Sequence, residues 1–367
     1  MKIATKRVAV AAAALLLTAG TLTACSSNSG GSGSTSNSKA FKIGFLLPDD
    51  VTARYATADQ PDFVQAIAKD DPQAVVLYED ANGSATNQQQ QAQAMLAQGV
   101  NVLVLDAFDG EAAESIVNAA DAKKVPVIDY DRLVDGGKSN YYVSFDNEKV
   151  GVLQGTAFVA QLKKEGVAAG SGILMIDGSP TDNNATLFAK GAHSVIDGSG
   201  YKVLAEYHTP GWDPAQAQTW AASQIAKYGS QIKGIYAAND GTAGGVIAAA
   251  HAAKFNLSKM ALTGQDATVA GMQSILDGDQ FMSVYKAIKP EAQLAAKLAI
   301  ELAEGQHPKA PTTVAGANGP AVPSFLLVPV SVTRSNIEST VVKDGFDSVA
   351  DICTAQFAAL CTKYGVQ

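Results

Sequence analysis

From residue 41 onward, short apolar runs alternate with longer stretches whose apolar positions recur at helical spacing. Runs at 41–47, 74–78, 101–105 and 125–129 read as strands, with helices at 62–69, 86–98 and 111–123 between them. A second series starts from a strand at 141–145 and carries helices at 147–163, 183–196, 214–228, 242–253 and 268–276. Strands at 172–176, 201–207, 234–237 and 261–263 separate those helices. Strict alternation at this spacing predicts parallel strands joined by right-handed helical crossovers. One core rarely takes so many units, which predicts an α/β protein of two doubly wound parallel-sheet lobes.

A second pattern recurs six times: an apolar run ends in a knot of polar residues just before the next helix. The knots are Asp106; Asp129-Tyr130-Asp131-Arg132; Asp182-Asn183-Asn184; Asn239-Asp240; Gly264-Gln265-Asp266; and Val284-Tyr285-Lys286. In open α/β sheets ligands bind in the crevice outside the carboxyl ends of the strands, so these knots belong to one site.

The first forty residues read differently. Lys2, Lys6 and Arg7 precede an apolar run at 8–17 and the small-residue stretch Leu22-Thr23-Ala24-Cys25, which predicts a signal peptide over residues 1–24. The run is too short for a membrane span. Leu-Thr-Ala-Cys resembles the lipobox of bacterial lipoproteins, which implies that Cys25 becomes a lipidated first residue and anchors an exported chain to the outer face of the cytoplasmic membrane. A chance cysteine after an ordinary signal peptide is the alternative. Residues 25–40 are then a Ser/Gly tether; as a flexible coil its ~14 linker residues reach about 20 Å.

About 327 residues remain beyond the tether, enough for two domains. Net charge is −8, and without residues 1–24, which hold three cations and no acid, it becomes −11. That sign argues against nucleic acid or an anionic membrane surface as partner. Cys353 and Cys361 are the only cysteines besides Cys25. Outside the cytoplasm two thiols eight residues apart are expected to pair, pinning the C-terminal segment; two buried thiols on one helix is the alternative.

Several motifs carry a resemblance: Tyr130-Asp131-Arg132, Ser144-Phe145-Asp146-Asn147-Glu148-Lys149-Val150-Gly151, Gly178-Ser179-Pro180-Thr181-Asp182-Asn183-Asn184, Asn239-Asp240-Gly241-Thr242-Ala243-Gly244-Gly245, Gly264-Gln265-Asp266-Ala267 and Val284-Tyr285-Lys286. In this order, over about residues 42–346, they resemble the D-xylose-binding family of bacterial ABC sugar importers. The resemblance implies a periplasmic binding protein-like clamshell whose chain crosses between lobes three times, near 145–146, 285–287 and 323–327. The N-terminal lobe is then 41–145 plus 287–323, the C-terminal lobe 146–286 plus 324–350, and 351–367 a C-terminal extension. A helix at 290–303 returns to the first lobe, and 308–323 is expected as an ordered surface excursion, with a flexible loop as the alternative.

The resemblance also implies a ligand set. Arg54, Asp131, Arg132, Asp182, Asn184, Asn239, Asp266 and Lys286 would contact the hydroxyls of a monosaccharide, and Trp212 would stack on its face. Tyr55 stands where the xylose binders have another tryptophan, which leaves glucose or other aldoses open beside xylose. Rim hydrogen-bonding groups and flanking aromatics suit a pyranose, which offers hydroxyls at its edge and C–H on its faces. The implied partners are ABC permease subunits and, through the lipid, a membrane; no cofactor is implied, and a monomer is expected.

Other readings compete at individual positions. Asp106 and Asp129 suit helix caps or ion pairs; Asp240 suits the cap of the following helix while Asn239 faces the cleft. Asp146 and Asn147 suit a hinge and cap, and Tyr130, Phe108 and Tyr141 the core. For enzymes, the chain lacks a Gly-x-Ser-x-Gly elbow, a P-loop and a Gly-x-Gly-x-x-Gly fingerprint, and no two of its four histidines are spaced i, i+4. A glycoside hydrolase using two of Asp131, Asp182 and Asp266 needs one raised carboxyl pKa, whereas Arg132 and Lys286 are expected to push these values down. A receptor that signals to a membrane sensor uses the same clamshell and remains an alternative to transport.

Overall fold

The computed structural model describes residues 40–316 and 318–367. The expected signal peptide, nearly all of the tether and Cys25 lie outside the described residues. The chain runs β1 (Lys42–Leu47), a π-helical turn (Tyr55–Asp59), α1 (Gln60–Asp70), β2 (Val75–Asp80), α2 (Ala85–Ala97), β3 (Val102–Leu105), α3 (Glu114–Ala122), β4 (Val127–Tyr130) and β5 (Tyr141–Phe145). It continues through α4 (Asn147–Lys164), β6 (Gly172–Asp177), α5 (Asn183–Ile196), β7 (Lys202–His208), α6 (Pro214–Tyr228), β8 (Ile232–Ala237), α7 (Asp240–Ala252), β9 (Ala261–Leu262), α8 (Val269–Asp277) and β10 (Ser283–Tyr285). The last part is α9 (Ile288–Ala303), β11 (Thr312–Ala315), β12 (Ala321–Leu327), β13 (Val330–Val332), α10 (Val349–Ile352) and α11 (Ala358–Tyr364).

The first lobe is a seven-stranded sheet ordered β11-β12-β5-β4-β3-β1-β2, and the second a four-stranded sheet ordered β7-β6-β8-β9. All pairings in both sheets are parallel except β11 with β12. The central strands are buried on both faces, which is why they read as unbroken apolar runs such as Val102–Leu105 rather than as alternating ones. Helices cover both faces of each sheet, giving paired cores. Phe45, Phe63, Val104 and Ala295 lie on one side of the first sheet, and Leu46, Leu103, Ile116 and Val117 on the other. Helices α4 and α5 approach so closely that a Cβ on Gly151 or Gly191 would strike backbone atoms of the opposite helix.

Three strand connections link the lobes: β5 to α4, β10 to α9, and β12 to β13. Strand β12 fixes two features of this part of the chain. Its residues 324–327 pair with Tyr142–Phe145 of β5, so the third segment of the first lobe extends to Leu327 and the chain crosses at Val328-Pro329, just past the 323–327 span expected for this crossing. The 308–323 excursion contains β11, which pairs antiparallel with β12 as the sheet's edge. Its Thr-Thr-Val core is β-branched, but four residues are too few to show a strand period. The crossing strand β13 pairs with β10, and the C-terminal segment packs Ile352, Cys361 and Val366 against Met272, Ile275 and Leu276 of α8. A disulfide joins Cys353 to Cys361, with Cα atoms 5.9 Å apart.

Candidate functional site

The carboxyl ends of the strands converge on a small cavity with about 250 Å³ of space between its wall atoms. Its wall includes all ten residues singled out from the sequence: Arg54, Tyr55, Asp131, Arg132, Asp182, Asn184, Trp212, Asn239, Asp266 and Lys286. Thr52, Phe188 and Gln265 complete it. Gln265 sits inside a polar knot and was open to recognition there; Phe188 points inward from a helix interior, where no local signal separates it from core.

Each wall residue follows from its element. Arg54 and Tyr55 start the turn after β1. Asp131 and Arg132 follow β4, Trp212 follows β7, Asp266 follows β9, and Lys286 lies on the crossing between β10 and α9. Asp131, Trp212 and Asp266 all have positive φ, of 54°, 57° and 93°. Such backbone is costly for residues with a Cβ and persists where the surroundings dictate it, which clusters at ligand sites. Asp182 caps α5, accepting from Asn184 N at 2.8 Å. Asn239 caps α7: its Oδ1 accepts from Thr242 N at 2.8 Å.

Asn239 faces the cavity as expected, but it and not Asp240 is the cap. Asp240 is buried behind the site, accepting from Gln280 Nε2 at 2.7 Å, Ser283 Oγ at 2.8 Å and Thr268 N at 2.9 Å. Asp129 is neither cap nor ion-pair member; it accepts from Ser139 Oγ at 2.6 Å and Val134 N at 3.2 Å, fixing the loop that follows β4. Asp106 lies 3.6 Å from Arg132 Nε in an ion pair. Tyr130 is core with a polar tip, donating to Asp59 Oδ1 at 2.6 Å. Asp146 caps α4, and Asn147 donates to Ser144 Oγ at 3.1 Å and Asn184 Oδ1 at 2.8 Å.

Charge in the wall balances: Arg54, Arg132 and Lys286 face Asp131, Asp182 and Asp266. Arg54 pairs with Asp131 at 2.5 Å, Asp59 at 2.7 Å and Asp266 at 3.6 Å. Arg132 pairs with Asp182 at 3.1 Å, and Lys286 lies 3.4 Å from Asp131 and 3.6 Å from Asp266. Burial opposes ionisation of Asp131, but Arg54, then Lys286 and Arg132, outweigh it and hold its carboxyl below the usual carboxylate range. Asp182 goes the other way: burial raises its pKa, and Arg132 only partly offsets this. The expectation that the cations depress the site carboxylates thus holds for Asp131 and fails for Asp182.

Aromatic surface comes from both lobes. Tyr55 carries the Arg54 guanidinium 4.6 Å from its ring centroid. Trp212 meets Phe188 edge-on at 6.2 Å and donates its Nε1–H to Asp182 Oδ2 at 2.9 Å. Gly178 allows this placement, because a Cβ there would overlap the far ring carbons of Trp212. Arg54 Nε, Gln265 Oε1 and Asp266 Oδ1 are buried without a hydrogen-bond partner in the protein, and all three residues line the cavity. Buried polar atoms left so are costly unless a ligand pairs with them. A charge-balanced wall with spare donors and acceptors and aromatic faces suits a neutral, polyhydroxylated ligand.

Comparison with known proteins agrees with this chemistry. The periplasmic binding protein domain matches residues 43–307. The chain is 38% identical to the D-xylose-binding periplasmic protein of Escherichia coli (strain K12), over 86% of this chain and 94% of that one. It is 36% identical to the D-xylose-binding periplasmic protein of Haemophilus influenzae, over 92% and 98%. Among solved structures, an ABC transporter solute binding protein from Clostridium phytofermentans with bound β-D-glucose superposes with a TM-score of 0.76 at 28% identity, covering 85% of this chain and 99% of its own.

Proposed function

The chain belongs to the periplasmic binding protein family, and on that premise we propose that it is the substrate-binding subunit of an ABC importer for a monosaccharide, D-xylose first. The observation that carries the reading is the cavity wall: three cations against three carboxylates, with spare buried donors and acceptors and aromatics from both lobes. The cavity is small and lined almost wholly by polar and aromatic side chains, which favours one sugar ring over an oligosaccharide.

In this reading the ion pairs hold the wall side chains in place, so the sugar meets preset donors and acceptors. Hydrogen bonds to charged groups contribute roughly 1.5–3 kcal/mol each, so a few supply much of the ~8 kcal/mol of a micromolar complex. The protein does no chemistry on the sugar and needs no cofactor. The lobes, 41–145 with 287–327 and 146–286 with 328–350, close by rotation about the three crossings, and the closed form docks on the permease as a monomer. Xylose is supported by the two xylose-binding relatives. Glucose is the second reading, supported by the glucose-bound neighbour and by Tyr55, whose phenol presents less face than an indole and adds a hydroxyl.

Isothermal titration calorimetry against xylose, glucose, galactose, arabinose and ribose tests the proposal. Micromolar or tighter binding of xylose, lost in Trp212→Ala, is expected; binding of glucose instead moves the specificity to the second reading, and silence with every aldose refutes the function. Anchoring through Cys25 rests on the lipobox-like Leu22-Thr23-Ala24-Cys25. Cys25→Ser is expected to move the protein from the membrane fraction to the medium, and a variant that stays with the membrane rules the anchor out.

A further inference from the structure

Away from the cavity, the edge of the second sheet assembles a different chemistry. β6 and β7 pair with Asp177 opposite His208 and Met175 opposite Glu206. Residues two apart on a strand share a face, so Glu206, His208 and Asp177 project to the same side. One ligand atom from each lies within 4.8 Å of the other two. Asp177 is the anomaly: its side chain is 1% exposed, yet neither carboxylate oxygen has a hydrogen-bond partner. His208 Nδ1 stands 3.7 Å from Asp177 Oδ2. From α5, His193 reaches Glu206 Oε1 through Nε2 at 3.0 Å and Asp197 Oδ1 through Nδ1 at 2.9 Å.

We propose that Asp177, Glu206 and His208 form a binding site for a divalent cation of zinc-like preference. A buried carboxylate with no hydrogen-bond donor on either oxygen, facing a second carboxylate and one imidazole no nearer than 3.7 Å, calls for a positive partner between them. That partner is either a proton held between the carboxylates or a metal ion. The donor set favours the metal. One imidazole nitrogen and two carboxylate oxygens match the three protein ligands of open zinc sites, whereas Ca²⁺ and Mg²⁺ prefer oxygen alone. Tetrahedral coordination needs donor atoms about 3.3–3.6 Å apart, given zinc bonds of ~2.0–2.2 Å. The 58%-exposed His208 is free to close that gap onto the fixed Asp177, and the exposure of His208 and Glu206 gives the ion its way in. The His193–Asp197 pair behind Glu206 is the supporting layer that metal ligands usually have.

The placement gives the site a consequence. Thr209 N, next to His208, donates to Asp177 O and Gly178 O, both at 3.1 Å, and Gly178 backs onto Trp212. A cation here clips together the two strand ends whose loops carry Asp182 and Trp212. None of its three ligands lines the cavity, so the site is separate from the proposed sugar contacts.

The test is calorimetric titration of ZnCl₂ into the full-length protein after chelator treatment and dialysis, with thermal melts in parallel. One-to-one binding and an upward shift in Tm are expected, with affinity reduced at least about tenfold in His208→Ala and Glu206→Gln. Both substitutions are at exposed positions, so the fold survives them. No one-to-one binding overturns the proposal and leaves a proton shared by the carboxylates. Binding that survives both variants but vanishes in His251→Ala also overturns it, because His251 makes another surface pair, 2.7 Å from Asp279.

Discussion

Gly178→Ala is a one-methyl change outside the cavity wall that should weaken sugar binding through Trp212. The new Cβ falls on the far carbons of the indole, with Cζ3 the most distant of the three at 2.5 Å, where ordinary contact begins at 3.4 Å. The ring must therefore retreat by about 1 Å or more to regain contact distance. Such a retreat pulls Nε1 off Asp182, which it holds at 2.9 Å, and takes the aromatic face away from the ligand. Losing a buried tryptophan anchor costs about 2 kcal/mol or more, roughly thirtyfold in Kd. Overpacking itself adds a stability loss of ~1–3 kcal/mol, so Tm is measured beside Kd. The control is Trp212→Phe, whose shorter ring does not reach position 178. In that background the alanine should cost little further affinity, so the two effects are strongly non-additive. Calorimetry of the four proteins in this cycle decides: equal cost of Gly178→Ala in both backgrounds, or none in the parent, refutes the account.

Asp131→Asn leaves Arg54 and Lys286 short of their shared anion in a buried site, and breaking such a pair costs ~3–5 kcal/mol; denaturant unfolding should show that loss together with weakened sugar binding, and an unchanged midpoint would contradict it. Stability should also depend on pH in a defined window. Burial raises Asp59 to about 6 and Asp129 and Asp240 to about 7. Between an unfolded value of ~3.9 and those values the folded state binds more protons than the unfolded one, so stability falls as pH rises through this range and levels off above about 7. Thermal melts from pH 4.5 to 8 should trace the fall and Asp129→Asn should flatten part of it, whereas a Tm that climbs across this window contradicts the assignment.

How legible this was in the chain depended on the range of the interaction. Strands such as Val102–Leu105 and helices such as Asn183–Ile196 carry their own period and were readable directly. Because polar residues at parallel strand ends have one crevice to face, the knots from Asp131 to Lys286 marked the wall before any geometry was available. The lobe crossings left no periodic trace and rested on resemblance alone. What stayed hidden depends on partners far away in sequence. The cap of α7 falls to Asn239 rather than Asp240 because Gln280 and Ser283, forty residues on, capture the aspartate. The Asp177–Glu206–His208 trio appears only once β6 and β7 are in register, since histidine spacing alone looks for helical pairs.

The cavity wall is buried everywhere except at the half-buried Thr52. A sugar held among buried side chains of both lobes is released fully only when the lobes part. Its residence time is then the lifetime of the closed arrangement, and the dissociation rate reports the opening of the lobes. Sugars that differ in affinity should leave at different rates while arriving at similar ones, and whatever accelerates delivery at the permease must act by prying the lobes apart.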